Sequence, residues 1–392
     1  MTSKIAVLHI APFIAQNPKL GGIPVAVRED CNGLRRAGHR VVVWSTPWGA
    51  PDGGSALNTN LDAELTTFAT HWDFVGNLLN TPIVPELMVL DHRLISGFDI
   101  VHFHNYWNTY TPRIAKVCAE TRTPLILQPR GSLVRSRQKE MAKGIFQLLF
   151  RRGIVKATAT AIALSETERL QLERCGFARA QIVVIPNMIS VPAQRLPGKP
   201  EARRLLGLPE QRSVILFLGR LHPAKGVENL VLAYSLLRRE LPESCLVLAG
   251  PDEGMRNKLQ RMITELGIRD VLFLGPLDQS KKWIALCAAD VFCLPSRYEA
   301  FPNAVLEAAW AKVPIVLSTH VSLPYLEEVQ AVAFAEPVPE ELSSALENVL
   351  SDATLRSKLV ANAHDWIRRH FTPEAIIPQL ELTYESAIRS VG

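Results

Sequence analysis

The sequence has 392 residues, 47% of them hydrophobic and 21% charged, with a formal net charge of +5. This balance excludes a disordered chain, and the length is natural for two domains of ordinary size. No apolar run reaches the roughly 18 residues of a membrane-spanning helix. The six cysteines show no metal-ligand spacing, and the first residues lead into a short strand without the apolar region of a signal peptide, so we expect a cytoplasmic protein with reduced thiols in its core.

The first half of the chain alternates predicted strands with predicted helices. Strands are predicted over residues 5–10, 40–44, 99–104, 124–128, 159–164 and 181–185, with a further candidate strand at 64–68. A helix over residues 25–37 follows the pair Gly21-Gly22, and Gly22 would let backbone amides approach phosphates, with a plain turn as the alternative. The pair is not a G-x-G-x-x-G motif, so it indicates no nicotinamide or flavin cofactor.

Polar side chains end two of these predicted strands. His102 and His104 point to the same face of their strand. A core role is favoured for His102, whereas His104, followed by Asn105, lies nearer the carboxyl end of the strand, where sheets of this kind bind ligands. No metal site is predicted, because the spacing supplies no third ligand. Arg130 follows the next strand and is predicted to hold an anionic group of an acceptor or a donor, with a salt bridge or a linker role as the alternative.

A basic amphipathic stretch spans residues 133–156. Eight basic residues lie between Arg130 and Lys156 against the single acidic residue Glu140, and apolar residues are interleaved with them. Such a stretch can lie on an anionic membrane surface, and a packed helix with a solvated basic face is the alternative. Nucleic acid is a poorer interpretation, because the stretch has neither an aromatic stacking platform nor a recognition-helix pattern.

A break follows at residues 191–200, where three prolines and a glycine favour an interdomain linker. The pattern then restarts, with strands predicted over residues 213–218, 245–249, 271–274, 290–294, 314–318 and 332–335 and helices over 339–350, 353–370 and 373–391. Strands that alternate with helices indicate parallel sheets covered by helices. We therefore expect an α/β protein of two Rossmann-like, doubly wound domains, residues 1–195 and 196–372, facing each other across a cleft.

The loop after the first strand of the second domain carries two cations. The strand ends at Gly219, and the loop then offers Arg220 and Lys225 just before a predicted helix. An Arg can bind two phosphate oxygens at once, a Lys acts as a point charge, and a helix N-terminus favours anions, so the loop predicts a diphosphate site. Basic residues in an ordinary surface loop are the alternative.

Two carboxylates follow the strand at 290–294. Glu299 lies in the loop after that strand, and Glu307 lies about one turn into the next predicted helix. They would accept hydrogen bonds from hydroxyls about a nucleotide-sugar's length apart, and amides from Phe301 to Asn303 would add donors at the helix start. Taken alone, each Glu is more typical of a solvated or salt-bridged surface residue.

Together these two stretches resemble the retaining glycosyltransferases of family 4, which have the GT-B fold. Glu299 and Glu307 reproduce the family's E-x7-E signature, and residues 219–226 resemble its Gly-Arg and Lys-Gly pattern, about eighty positions earlier and in the family's order. The usual signature has Phe-Gly after the first Glu, whereas Phe301-Pro302-Asn303 stands here.

The resemblance implies transfer of a hexose from a nucleotide diphosphate sugar, a UDP- or GDP-sugar, to an acceptor hydroxyl with retention at the anomeric carbon. It implies that Glu299 holds sugar hydroxyls, that Glu307 holds the ribose, and that His104 lies close to the transferred sugar. A phosphate oxygen of the leaving group would accept the acceptor's proton. No metal and no cofactor would be needed, because Arg220 and Lys225 stabilise the leaving diphosphate.

The resemblance also implies which candidate residues contact the donor and which contact the acceptor. The donor side comprises Gly22, Gly219, Pro276, Leu277, Phe301, Pro302, Asn303 and Glu307, and the acceptor side Asn105 and Arg130. The last helix, about 373–392, is expected to pack back on the first domain.

A glycan or lipid-linked acceptor, in the synthesis of cell-surface polysaccharide, lipopolysaccharide or glycolipid, is expected from the basic first half, with a peripheral location on the inner face of the plasma membrane. The alternatives are a GT-B epimerase or phosphorylase acting on sugar nucleotides, and a two-domain sugar-binding protein without catalysis.

Overall fold

A computed structural model describes residues 4–14, 22–48, 61–72, 76, 81–133, 140–192, 195–321, 323 and 326–391. The chain forms two compact units, one of Met1–Met188 with Pro373–Gly392 and one of Ile189–Thr372. Each unit has its own parallel β-sheet, and the two-domain α/β class predicted from the alternating pattern is confirmed. Among the described helices, none combines the length and the apolar composition that crossing a bilayer requires.

The first unit contains a seven-stranded sheet in which every pairing is parallel. Its strands are β1 Ala6–Ile10, β2 Arg40–Ser45, β3 Glu64–Thr67, β4 Ile100–His104, β5 Leu125–Gln128, β6 Thr158–Ala163 and β7 Ile182–Val184, in the spatial order β3-β2-β1-β4-β5-β6-β7. Its described helices are α1 Ile23–Arg36, α2 Pro85–Met88, α3 Thr111–Thr121, α4 Glu140–Ala157 and α5 Glu166–Arg174.

The second unit contains a six-stranded sheet, again with parallel pairings throughout. Its strands are β8 Ser213–Leu218, β9 Ser244–Ala249, β10 Val271–Gly275, β11 Val291–Leu294, β12 Ile315–Ser318 and β13 Ala333–Ala335, in the spatial order β10-β9-β8-β11-β12-β13. Its described helices are α6 Lys199–Leu206, α7 Val227–Glu240, α8 Arg256–Glu265, α9 Gln279–Ala288, α10 Asn303–Trp310, α11 Leu326–Val329, α12 Pro339–Ser351 and α13 Ala353–His370.

Each sheet has a point at which the direction of strand succession reverses. In the first sheet this point lies between β1 and β4, and in the second between β8 and β11. Open parallel sheets bind ligands beyond the carboxyl ends of the strands at such switch points. The strand order therefore indicates where a site should be sought in each unit.

The last helix, α14 Pro373–Val391, belongs to the first unit. Its residues Ile376, Ile377 and Tyr384 lie in the core cluster that also contains residues of β1, β2 and α1. Gly33 of α1 leaves room for this packing, because a Cβ there would lie 2.4 Å from the Ile377 side chain. A bulkier residue at position 33 would push the two helices apart.

Candidate functional site

The loops after β8 and β11 meet at the switch point of the second sheet. The amide of Arg297 donates a hydrogen bond of 2.9 Å to the carbonyl of Ala224. Gly226 has φ +66°, and a Cβ there would lie 2.2 Å from the Pro295 carbonyl oxygen. Glycine is thus required at the point where the two loops touch, and this contact brings the predicted cation loop against the predicted carboxylate loop.

Lys225 and Glu299 form an ion pair across these two loops. The Lys225 Nζ lies 2.5 Å from Glu299 Oε1, and the buried Ser296 hydroxyl donates to the same oxygen at 2.7 Å. The two side chains are only 15% and 7% exposed. Both residues were predicted as site residues, whereas the supporting Ser296 was not. A carboxylate held by two donors is fixed in orientation and keeps a second oxygen with which to bind another hydroxyl.

Arg220 makes a similar pair with a residue that the sequence analysis did not include. Its Nη1 lies 2.7 and 2.9 Å from the two carboxylate oxygens of Glu253, in the loop after β9. These side chains are 41% and 29% exposed, so water and ligands reach the guanidinium. An exposed ion pair contributes little to stability, which leaves Arg220 able to exchange Glu253 for a phosphate.

Glu307 is the most buried carboxylate of this edge. It lies in the second turn of α10, and its Oε1 accepts a hydrogen bond from Lys282 of α9. Lys282 was also absent from the predicted set. Pro302 is the N-cap of α10 and has no backbone N–H. Backbone donors at the start of this helix are therefore the amides of Phe301, Asn303 and Ala304.

The remaining predicted donor residues lie in the loops after β8 and β10. The Gly219 amide donates to the Ala249 carbonyl, and the Gly250 amide to the Gly275 carbonyl, so the three neighbouring loops are tied together. Gly250 has φ +139°, and a Cβ there would lie 1.9 Å from the Gly219 carbonyl oxygen. Beyond Gly275, Pro276 is exposed and Leu277 is half-buried at the edge of the sheet.

In the first unit, the structure describes Gly22 but not Gly21. Gly22 is the N-cap of α1, without a side-chain cap, and its carbonyl accepts the Ala26 amide at 3.0 Å. Backbone donors of the first turn are therefore left for other partners, as at any helix start. A role in phosphate binding stays a prediction.

Three histidines cluster where β1 and β4 lie side by side. His9 Nδ1 is 2.9 Å from His104 Nε2, and His102 Nδ1 is 2.7 Å from the Tyr384 hydroxyl. All three rings are fully buried. Burial lowers the pKa of each imidazole, and the Arg130 cation adds to the effect, so that the pKa of His9 falls to about 3. The sequence analysis missed His9 because it lies on a different strand from the other two.

Arg130 is buried and forms hydrogen bonds with three residues of the first unit. It has a left-handed φ of +52°, and its guanidinium donates to His104 Nδ1 at 3.0 Å and also to Asn187 and Asp30. Burial raises the pKa of the Asp30 carboxyl, and the Arg130 charge opposes that rise. The predicted anion-binding side chain is thus bound within the protein, which is the salt-bridge alternative; a contact with acceptor or donor stays a prediction.

The sequence analysis predicted no metal site because it found no third ligand beside His102 and His104. His9 is such a third imidazole, and the ligand atoms of the three histidines lie within 4.8 Å of one another. The hydrogen bonds nevertheless fit protons better than a metal ion. His104 Nδ1 accepts from Arg130, so the neutral ring carries its proton on Nε2, and this proton faces His9 Nδ1. His104 Nε2 and His9 Nδ1 therefore share a proton and are not both available to a metal ion.

Asn105 follows His104 with a left-handed φ of +75°. Its side-chain oxygen accepts from the Trp107 amide at 3.2 Å, and its own amide donates to Gln128 at 2.9 Å. Asn is one of the few residues that adopt this backbone conformation readily. The turn ends β4, and an acceptor-side role for Asn105 stays a prediction.

Part of the basic stretch lies in α4. Its apolar residues Ile145, Leu148 and Leu149 are exposed at helical spacing, and Leu148 is 85% exposed. The basic residues Arg151 and Arg152 are exposed beside them. Arg135, Arg137 and Lys139 lie outside the described residues. The described helix therefore presents apolar and basic groups together.

Comparisons with known proteins identify the family of this chain. The family model "Glycosyl transferases group 1" matches residues 198–366, and the model "Glycosyl transferase 4-like domain" matches residues 21–188. Similar relatives include an uncharacterized glycosyltransferase of Methanocaldococcus jannaschii, 23% identical over 95% of this chain and 96% of that protein. A phosphatidyl-myo-inositol mannosyltransferase of Mycobacterium tuberculosis is 27% identical over 75% of each chain.

Solved structures show the same fold. Anabaena HepE, in complex with UDP and glucose, is 20% identical with a TM-score of 0.71, covering 97% of this chain and 100% of that one. A sucrose-phosphate synthase from Thermosynechococcus elongatus is 19% identical with a TM-score of 0.75, covering 99% of this chain and 100% of that one.

Proposed function

The chain belongs to the group 1 glycosyltransferases and has the GT-B fold, and from this premise we propose that it transfers a hexose from a UDP- or GDP-sugar to an acceptor hydroxyl with retention at the anomeric carbon. The carrying observation is the arrangement at the β8/β11 switch point, where Lys225 and Glu299 pair across two touching loops. HepE in complex with UDP-glucose supports a nucleotide sugar as the donor.

The cations of this edge would stabilise the departing diphosphate. Charge grows on the phosphate oxygens as the bond to the sugar breaks, and fixed positive groups aimed at growing charge are usually the largest catalytic contribution. Lys225 is positioned by its bond to Glu299, and Arg220 is the more exposed of the two cations. They need no metal ion to supply positive charge at this place, so we propose transfer without a metal or an organic cofactor.

The carboxylates would bind the hydroxyls of the donor. Glu299 would hold hydroxyls of the transferred sugar, and Glu307 would hold the ribose. Each already accepts a hydrogen bond from a lysine, which lowers its power as a nucleophile. A covalent glycosyl intermediate on either residue is therefore disfavoured. Retention would follow instead if a phosphate oxygen of the leaving group accepts the acceptor's proton on the face that the diphosphate leaves.

The acceptor would be a glycan or a lipid-linked molecule of cell-surface polysaccharide, lipopolysaccharide or glycolipid synthesis. Two observations support this class. One relative is a phosphatidyl-myo-inositol mannosyltransferase, which names a lipid acceptor for that protein. The other is α4, whose exposed Leu148 and Leu149 lie beside Arg151 and Arg152. Apolar and basic groups on one helix favour the surface of an anionic membrane, and we propose peripheral binding there.

Vesicle sedimentation tests the membrane contact. The double variant L148Q/L149Q should bind vesicles of phosphatidylglycerol and phosphatidylcholine about ten-fold more weakly, because two leucines no longer enter the bilayer boundary. The variant L382Q is the matched control, since Leu382 is 62% exposed on α14 and should be neutral. Equal loss in both variants, or none in either, would contradict the contact at α4 and leave the transferase proposal standing.

A donor screen tests the transferase itself. UDP-glucose, UDP-galactose, UDP-N-acetylglucosamine and GDP-mannose are each added, and both melting temperature and release of nucleotide diphosphate are measured. A true donor should raise the melting temperature and release the diphosphate slowly into water and faster with acceptor lipid. Conversion of the sugar without diphosphate release would indicate an epimerase, and sugar binding without any reaction would indicate a binding protein.

A further inference from the structure

Glu307 is held by a residue from the neighbouring helix α9. Lys282 donates a hydrogen bond to Glu307 Oε1, and the two side chains are only 17% and 6% exposed. Lys281, the preceding residue, is exposed and has no ion pair among the described residues. Asp278 is the N-cap of α9, and its side chain accepts a hydrogen bond of 2.8 Å from the Lys281 amide. The two adjacent lysines thus have the same charge and different surroundings.

The bond leaves half of the Glu307 carboxylate available. Oε2 has no hydrogen-bond partner in the part of the chain that the structure describes. A carboxylate on a flexible side chain can turn either oxygen outwards, so an unheld Glu307 would spread over several rotamers. A charge-assisted bond to Oε1 removes this freedom and fixes the direction in which Oε2 accepts.

We propose that Lys282 is a positioning residue for the ribose of the nucleotide donor: by pinning Oε1 it aims Oε2 of Glu307 at the vicinal hydroxyls. This inference rests on the proposed function, which places the ribose at Glu307. Its consequence is selectivity for ribonucleotides, since a nucleotide that lacks the hydroxyls leaves Oε2 unpaired at a nearly buried place. The proposed role differs from that of Lys225, which is assigned to the diphosphate.

The size of the selectivity follows from ordinary hydrogen-bond energies. A bond to a charged group is worth enough that its loss weakens binding by about 10- to 100-fold. Lys282 contributes to that difference only through Glu307, so removing the lysine should reduce the selectivity itself. A merely structural lysine would change the binding of both nucleotides by the same factor and leave their ratio unaltered.

Calorimetric titration measures this ratio directly. UDP and 2′,3′-dideoxy-UDP are titrated into the full chain, with GDP and 2′,3′-dideoxy-GDP in parallel. The unchanged protein should prefer the ribonucleotide by about 10- to 100-fold. In Lys282→Met the preference should fall to about three-fold or less. Lys281→Met, the matched control, should keep the full preference, and Lys282→Arg should restore most of it.

Each other outcome decides between explanations. If Lys282→Met keeps the full ratio, Lys282 does not position Glu307 and the inference is overturned, whereas nucleotide binding still supports the proposed function. If Lys282→Met binds both nucleotides more tightly with an unchanged ratio, the lysine is a competitor of the ligand and the inference is again overturned. If neither UDP nor GDP binds the unchanged protein, the proposed function fails and this inference fails with it.

Discussion

The two sheets of this molecule place charged residues at equivalent points and treat them in opposite ways. At the β1/β4 switch point of the first unit, His9, His104 and Arg130 are buried and bonded to one another. Beside the β8/β11 switch point of the second unit, Arg220 pairs with Glu253, and these side chains are 41% and 29% exposed. The strand order is the same at both switch points, so the difference between them lies in how far water reaches the charged side chains.

The difference has an energetic cause. A buried charge that loses its partner has no water to replace it, so the Arg130–Asp30 pair is costly to break. A partly exposed pair can trade its partner for a ligand or for water at small cost, as at Arg220 and Glu253. The first arrangement is suited to holding strands and loops in fixed positions. The second is suited to binding an anion reversibly.

The largest expected effect is on catalysis, at the Lys225–Glu299 pair of the second unit. Lys225→Ala and Glu299→Ala should each lower kcat/KM by about 1,000-fold or more. The first removes the charge proposed to face the diphosphate, and the second removes the carboxylate that holds Lys225 and is proposed to hold sugar hydroxyls. The rate of nucleotide diphosphate release from the preferred donor is the measurement. Circular dichroism at the assay temperature should be nearly unchanged and so show that the variants are folded.

Lys116→Ala provides the control for this test. Lys116 lies on α3 of the first unit and forms an ion pair with Glu120, and the two side chains are 66% and 48% exposed. It should leave the rate within about two-fold of the unchanged protein. Near-normal turnover in either site variant would show that the second switch point is not the reaction centre.

The strands and the motif residues of the candidate site could be predicted from the sequence. The partners of those residues could not. Strand boundaries came within one residue at either end, because apolar runs and Gly or Pro punctuation are local signals. Arg220, Lys225, Glu299 and Glu307 were also found from local motifs.

The partners of these residues were missed. Glu253, Lys282 and Asp30 lie 33, 25 and 100 residues from the side chains that they contact. His9 is 95 residues from His104. Such pairs depend on which strands become neighbours and in which register, and a one-residue shift would turn a side chain to the other face. No local pattern in the chain states that register.

The next largest effect should be on stability, at the buried network of the first unit. Asp30→Asn removes the charge that faces Arg130 and should lower the free energy of unfolding by about 3 kcal/mol, as measured by urea titration. The exposed Asp365, which pairs with Arg369 on α13, is the matched control, and Asp365→Asn should leave the urea midpoint unchanged.

A double variant sharpens the result. Asp30→Asn with Arg130→Met should cost less than the sum of the two single variants, because the second substitution removes the unpaired charge that the first creates. Simple additivity would mean that Asp30 and Arg130 do not stabilise the unit as a pair.

The pH dependence of stability should also separate the two regions. The folded pKa of His9, His102 and His104 lies below the unfolded value near 6.5, so the unfolded chain takes up protons that the folded chain does not. The stability they contribute is complete above pH 6.5 and is lost as the pH falls, by up to about 1.4 kcal/mol per pH unit for each histidine. The raised pKa of Asp30 acts in the opposite direction, because burial keeps that carboxyl protonated above its ordinary pKa.

Urea titrations between pH 7.5 and 5 measure this slope. His9→Gln should reduce it, below pH 6.5, by up to about 1.4 kcal/mol per pH unit, because one proton uptake is removed. His92→Gln, at an exposed histidine of the same unit, should leave it unaltered. A slope that His9→Gln does not change would mean that the ring takes up its proton equally well in the folded state.

The smallest expected effect tests whether the pairs of the second unit are truly exchangeable. Glu253→Gln keeps the size of the side chain and removes the charge that Arg220 contacts at 2.7 Å. If Glu253 merely occupies Arg220 until a diphosphate arrives, its neutralisation should tighten UDP binding by about three-fold in a calorimetric titration. If Glu253 instead orients Arg220 for the phosphate, binding should weaken. Tighter binding would show that Arg220 exchanges Glu253 for the ligand, unlike the fixed pairs of the buried network. Weaker binding would show that the pair is fixed there too, and that the two regions differ only in the strength of their pairs.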